Sequence, residues 1–227
     1  MRVLAVDTSS EYGSVSATDG GEVIGEIRLA SSIQHSERLF HSIEFLLRYL
    51  PFQLHDIDIF AAACGPGSFT GLRIGIAAME GFAAANGKRG AGVTTLRALA
   101  WKTGLRDVPI ATMIDARRGD IYGAVYRRIN TNGRSDTLIE EKPPLVLKPD
   151  EWLASLPGQP LVFCGDGAVR YQSLLQEREW RIHSMDLYLA GTVAELATTP
   201  SSGSLSPVYV RKPDAEIARE SIGSPNS

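Results

Sequence analysis

The sequence predicts an α/β protein made of two similar halves. Three observations carry this. Residues 2–104 alternate strand-like and helix-like segments in the order βββαβα, with short extras. A new series of the same kind starts at Pro109. Each series opens with an apolar run that ends in aspartate, turns tightly and returns as a strand, LAVDTSSEYGSVSA in the first and ATMIDARRGDIYGAVY in the second. As a repeat of residue identities this is faint.

The first half begins with RVLAV (2–6), which runs into Asp7. The strand-like SVSAT and EVIGEIRLA follow, separated by Asp19-Gly20-Gly21, a hairpin signal. Three antiparallel strands are therefore expected. Residues 36–50 read as a helix with Ser36 able to cap it and Pro51 to stop it. Leu39, Ile43, Leu46 and Leu50 make one stripe, which Phe40 and Leu47 widen. IDIFAAAC (57–64) reads as a buried strand. A glycine turn and a second helix to Ala85 follow, with Ser68 as N-cap. GAGVTTLRALAWKTG then supplies a short strand and a third helix capped near Thr94 or Thr95.

The second half reads as strand 109–115, the turn ARRGD and the strand IYGAVYRR. After a polar connection (129–136) come TLIEEKPPLVL as a strand and a helix near 149–155. LVFCGDGA is a strand entering a glycine turn, and helices are expected near 167–177 and 186–197. Residues 198–206 form a linker, PVYVRK a last strand or docking segment, and 214–227 a polar, mobile tail. The expected units are 1–104, 105–213 and that tail.

Apolar residues make up 44% of the 227 and charged residues 22%, the balance of an ordinary globular protein. A formal charge of −3 disfavours nucleic-acid binding by this chain alone, because phosphate neutralisation needs clustered Lys and Arg. No signal peptide and no membrane-length apolar run is seen, so a cytoplasmic location without membrane contact is expected. Cys64 and Cys164 read as free thiols in a reducing compartment.

Gly65-Pro66-Gly67 before a capped helix offers amides and a positive dipole end to an anion. No lysine follows, and the glycine spacing misses the dinucleotide fingerprint by one residue. The helix itself holds Gly71, Gly75 and Gly81, each costing about 1 kcal/mol against Ala. Gly71, Gly75 and Ala78 share a face, so another backbone comes close there: the chain's own sheet or a partner subunit. Asp7 and Asp115 end equivalent strands. They can hold Mg²⁺ and phosphate between the halves, or cap their own turns. His35 and His41 point about 120° apart on a helix, so no metal site is expected. Cys64 near a helix start has a route to a lowered pKa, although a buried strand end is the plainer reading. Arg117 and Arg118 read as a solvated turn, with RNA phosphate or a partner carboxylate as the alternative.

Several of these motifs, in order, resemble the bacterial TsaB (YeaZ) family. They are the opening around Val3–Ser9, His35–Leu39, the run GPGSFTGLRIG (Gly65–Gly75), IDARRGDIYGAVY (Ile114–Tyr126), GDGA (Gly165–Ala168) and P-x-Y-x-R (Pro207–Arg211). The resemblance implies an actin-like/RNase H-like (ASKHA) fold of two lobes with mixed sheets, the second lobe degenerate. It implies a role in making N6-threonylcarbamoyladenosine at position 37 of ANN-decoding tRNAs. The chain would be a non-catalytic activator of the enzyme TsaD, working with the ATPase TsaE. Like the family, it would also form homodimers through its N-terminal helices. TsaD's H-x-x-x-H metal pair is missing, because Ser36, Glu37, Arg38 and Leu39 follow His35. ATP and Mg²⁺ would serve the complex, with no cofactor held tightly here, and tRNA would be met through the complex.

On this resemblance the helices Ser36–Leu50 and Ser68–Ala85 form the docking face. Leu39, Ile43, Leu46, Phe69, Leu72 and Ile76 are expected to supply apolar area. Gly71 and Gly75 would permit close approach, with Arg73 between them. Gly75→Leu should then abolish association and leave the subunit folded. The alternative is an actin-like phosphotransferase or ATPase holding Mg-nucleotide around Asp7, Ser9 and Asp115. A peptidase has no nucleophile–base pair to support it, and a plain structural homodimer fits the residue pattern alone. Two features depart from the family pattern: His41, and the tail, which aligns with nothing.

Overall fold

The computed structural model describes residues 1–30, 35–131, 135–158 and 161–210. Two five-stranded mixed sheets form its frame. The first contains β1 (Arg2–Asp7), β2 (Tyr12–Asp19), β3 (Glu22–Ala30), β4 (Ile59–Ala63) and β5 (Arg89–Val93), in the order β3-β2-β1-β4-β5. β1–β2 and β2–β3 are antiparallel; β1–β4 and β4–β5 are parallel. Gly20 and Gly21, both at positive φ, close the expected hairpin. The helices α1 (His35–Tyr49) and α2 (Phe69–Asn86) cover one face of this sheet.

The helix α3 (Thr95–Lys102) leads to the second sheet. Its strands are β6 (Pro109–Asp115), β7 (Ile121–Thr131), β8 (Ser135–Leu147), β9 (Val162–Cys164) and β10 (Arg181–Ile182). Their order, β10-β9-β6-β7-β8, repeats that of the first sheet strand for strand. The faint sequence repeat is thus a true architectural repeat, of the actin-like/RNase H-like kind. The second copy is degenerate. β9 and β10 span three and two residues, and the helix expected at 167–177 is broken into α5 (Asp166–Arg170) and α6 (Gln172–Gln176). α4 (Pro149–Ala154) lies where expected, and α7 (Ala190–Ala197) is shorter than the expected 186–197.

β1–β5 all end by Val93 and β6–β10 all start from Pro109 onward, but the helices cross between the two sheets. α3 packs on β6, β7 and β8, whereas α7 returns to pack on β1, β2 and β4. A central core between the sheets results, with Val3 and Ala5 meeting Leu96, Leu99, Val193 and Leu196. Ser14 on β2 accepts from the first amide of α7, Ala190 N, at 3.0 Å. The segment after α7 also runs back along the first lobe. Gly203 bridges Gly92, Leu205 enters the core, and Val208 N donates to Cys64 O at 2.7 Å. PVYV is therefore a docking strap, not a strand. The expected mobile tail lies outside the described residues, as does Arg211.

Candidate functional site

Two places bear on function: the outer surface of α1 and α2, and the cleft between the lobes. Both depend on how the start of α2 is built. Ser68 caps α2 as expected, its Oγ accepting from Gly71 N at 3.2 Å. Ser68 N donates to Ser9 O at 2.6 Å. A Cβ at Gly67 would overlap the Ser9 backbone, and one at Gly71 would overlap the Thr8 carbonyl. Thr8 Oγ1 in turn donates to Gly71 O at 2.7 Å, and a Cβ at Gly75 would run into that same hydroxyl and Val6. The glycine-rich start therefore lets α2 lie directly on the end of β1. The space a phosphate would need is filled by the Thr8–Ser9 backbone.

This corrects the expected docking residues. Gly71, Leu72, Gly75 and Ile76 on α2, with Leu39, Ile43 and Leu46 on α1, are all buried against the chain's own sheet. They give no area to a partner. Gly75→Leu would wreck the contact with Thr8 and Val6, so it is no test of association. Of the nine expected residues only Phe69 and Arg73 face outward. They meet the strap: Tyr209 lies 5.5 Å from the Phe69 ring, and Arg73 Nε donates to Tyr209 Oη at 3.3 Å.

The outward face holds residues the helical stripe did not single out. On α2 these are Ala77, Gly81, Ala84 and Ala85. Among the described residues nothing lies within 4 Å of where a Gly81 side chain would begin. On α1, Phe40 (52% exposed), Phe45 (57%) and Tyr49 (75%) point to solvent beside charged neighbours. Phe45 and Tyr49 pack on each other at 5.0 Å, and Phe40 lies edge-on to Phe82 of α2. Phe40 thus leaves the stripe it was expected to widen. The available signal was large aromatics on the polar side of an amphipathic helix, where folding alone does not need them. His41 is exposed on the same helix.

In the cleft, Asp7 and Asp115 do end equivalent strands, but their surroundings differ. Asp7 is fully buried, and its Oδ1 accepts from Ser9 N at 2.9 Å. Burial pushes its pKa up to about 6, while the nearby Ser9 hydroxyl and amide and the Lys102 charge partly offset this. Asp115 caps its own turn through Arg117 N at 3.0 Å and faces Arg170 at 3.2 Å and Arg117 at 3.7 Å. Arg117 and Arg118 sit at positive φ, and the Arg117 side chain is exposed, as a solvated turn requires. The cavity between the lobes is lined by Ser9, Thr95, Leu99, Ile114, Asp166 and Leu189 among others, and neither Asp7 nor Asp115 lines it. Its volume is about 20 Å³, room for one water-sized body and not for a nucleotide.

Burial raises Cys64 to about 11 and Cys164 to about 12, so the expected route to a reactive Cys64 thiolate is closed. A separate concavity of about 470 Å³ opens on the second lobe between α5, α6 and residues 180–187. Gln172, Trp180 and His183 line it, with Gly165 of the GDGA motif at one edge. Among the described residues no helix is long and apolar enough to cross a membrane.

Known proteins share this architecture. The family described as TsaD: tRNA N6-adenosine threonylcarbamoyltransferase matches residues 23–201. The tRNA threonylcarbamoyladenosine biosynthesis protein TsaB of Escherichia coli K12 is 39% identical over 132 residues, 56% of each chain. The chain belongs to this family, in its TsaB (YeaZ) branch. TsaB of Bacillus subtilis is 26% identical over 179 residues, 78% of this chain and 76% of that one. The match spans little more than half the length of the E. coli TsaB. YeaZ from Pseudomonas aeruginosa has a TM-score of 0.74 at 24% identity, covering 92% of this chain and 99% of that one. The ethanolamine utilization protein EutJ of Carboxydothermus hydrogenoformans has a TM-score of 0.50 at 13% identity, covering 86% and 90%. The TsaB-like and EutJ structures agree with the two-lobe fold.

Proposed function

We propose that this chain is a non-catalytic partner subunit in the formation of N6-threonylcarbamoyladenosine at position 37 of ANN-decoding tRNAs, and that it docks on TsaD through the outer face of α1 and α2. Membership of the TsaB branch supports the pathway. The observation that carries the docking face is Gly81. It sits inside a helix, costs about 1 kcal/mol there, and meets nothing among the described residues. Gly71 and Gly75 are explained by Thr8; Gly81 is explained by a second backbone approaching from outside. Ala77 and Ala84 keep that path smooth, and the half-exposed Phe40, edge-on to Phe82 of α2, borders it with aromatic area of the kind that dominates protein interfaces.

The same face would serve a homodimer, so homodimer and TsaD complex would compete for it. TsaE, ATP and Mg²⁺ would act on the assembled complex in the cytoplasm, with tRNA met there and not by this mildly acidic chain alone. The roughly water-sized cleft supports a chain that holds no nucleotide of its own. The test is sedimentation velocity of the chain mixed with TsaD from the same organism. A heavier species is expected, and Gly81→Arg should abolish it with the melting temperature retained. A complex that survives Gly81→Arg would refute the docking face.

A further inference from the structure

The two sheets repeat each other, yet one edge is covered and the other is open. In the first lobe the strap after α7 fills the space between α2 and the edge strand β5. Gly203 bridges Gly92 of β5, and Leu205 lies where a Gly90 side chain would be, in the core cluster with Ala83 of α2. Val208 N donates to Cys64 O at the end of β4, and Tyr209 reaches Phe69 at the start of α2. In the second lobe β10 takes the place of β5, β9 that of β4, and α5 with α6 that of α2. The space between them is the concavity of about 470 Å³. Gly165 follows Cys164 at its edge as Gly65 follows Cys64 beside the strap, both at positive φ (106° and 109°). No described segment of the chain fills this second place.

Its walls are fixed and carry no carboxylate or basic side chain. Trp180 stacks on Phe163 at 5.1 Å, and His183 N donates to Phe163 O at 2.7 Å. Trp180 N donates back to Leu175 O at 3.1 Å, closing α6 through Glu179, which takes the left-handed conformation (φ 56°) usually left to glycine. Val169, 58% exposed, and Leu187 add apolar wall, while Gln172, Gln176 and Ser184 bring neutral polar ends. No Asp, Glu, Lys or Arg lines the space. A phosphate, a carboxylate or a metal cation has no counter-charge there. A ligand with apolar bulk and amide-like donors and acceptors does find partners, since a Gln side chain both donates and accepts. The place is also apt: it lies beyond the carboxyl ends of the parallel strands β9 and β10, where open α/β sheets take their ligands.

We propose that this concavity is a peptide site, which takes an extended, uncharged segment of another protein in the way the first lobe takes its own strap. The segment carries a leucine-sized and an aromatic side chain at the spacing of Leu205 and Tyr209. Its side chains pack against Trp180, Val169 and Leu187, and its backbone pairs with the amides of Gln172 and Gln176. The volume lies within the roughly 300–1,000 Å³ of ligand sites. No residue of α1 or α2 lines it, so the site does not depend on the docking face proposed above. The second lobe, degenerate as a copy of the first, thereby keeps a use of its own.

The probe is the strap's own sequence, SLSPVYV (204–210), as an acetylated and amidated peptide added to the full chain. In heteronuclear NMR the backbone amides of Val169, Gln172 and His183 should shift in a saturable way, with a Kd below about 1 mM. Gln176→Arg, at an exposed position of α6, should weaken binding at least about tenfold with the melting temperature retained. No saturable shift of these amides would overturn the proposal, as would a response confined to the strap's own place around Cys64 and Phe69. Undiminished binding to Gln176→Arg would put the peptide elsewhere and overturn it too. Adenosine binding at these amides, with none of the peptide, would replace the peptide by a neutral heterocycle.

Discussion

The two faces of α2 use the same residue type for opposite reasons. On the inner face Gly71 and Gly75 are required by the chain's own backbone, since Thr8 occupies the space of their side chains. On the outer face Gly81 is required by nothing among the described residues. A glycine in a helix is therefore informative only together with what faces it. The inner pair reports on folding; the outer one reports on a surface kept clear.

The largest effect expected from this contrast is on the inner face. Gly71→Val should cost more than about 4 kcal/mol, because the obstacle is the Thr8 backbone and not a side chain that can turn away. Urea unfolding, or the absence of soluble chain, would show it. Normal stability would mean that α2 does not lie on β1 as described.

The next effect belongs to Asp7, at the strand end beneath the inner face. Its folded pKa of about 6 lies above the ordinary 3.8. The folded state thus binds more protons than the unfolded one between those values, and stability falls as pH rises through that window. The loss is at most about 3 kcal/mol. It should appear in urea titrations in choline chloride from about pH 4 to about pH 6. Asp7→Asn should flatten that slope. An unchanged slope would assign it to another group.

On the outer face the sign reverses. Gly81→Ala should stabilise the isolated chain by about 1 kcal/mol, through helix propensity alone. Gly81→Leu should leave stability within about 0.5 kcal/mol of Gly81→Ala while weakening association at least about tenfold. If Gly81→Leu binds as well as the unaltered chain, the outer face is not the docking face. The smallest effect is expected at Phe45. Phe45→Ser should change stability by less than about 0.5 kcal/mol and still weaken association measurably.

Much of the fold could be read from local pattern. The hairpin at Gly20-Gly21, the Ser68 cap, the strand 109–115 and the repeat of a strand ending in aspartate all appear where expected. Each depends on interactions within a few residues or on a simple period. The candidate site was less readable. The stripe Leu39, Ile43, Leu46 marked a buried face correctly, but burial against the sheet and burial against a partner share one period. Gly71 and Gly75 carried the same ambiguity until Thr8 was placed beneath them. The break of the helix at 167–177 also escaped, because no proline or glycine marks residue 171.

The sequence by itself determined the alternation of strands and helices, their caps and turns, and the family to which the motifs belong, since these follow from backbone propensity, hydrophobic period and residue order. Only the tertiary structure decided which face of α2 is free, and which carboxylate lines the cleft. Asp115 holds the equivalent place along the chain, yet Arg170 and Arg117 draw it aside and Asp166 lines the cavity. The reason is physical. The exchange of α3 and α7 between the lobes sets residues side by side that are far apart in sequence, and no local period encodes that distance.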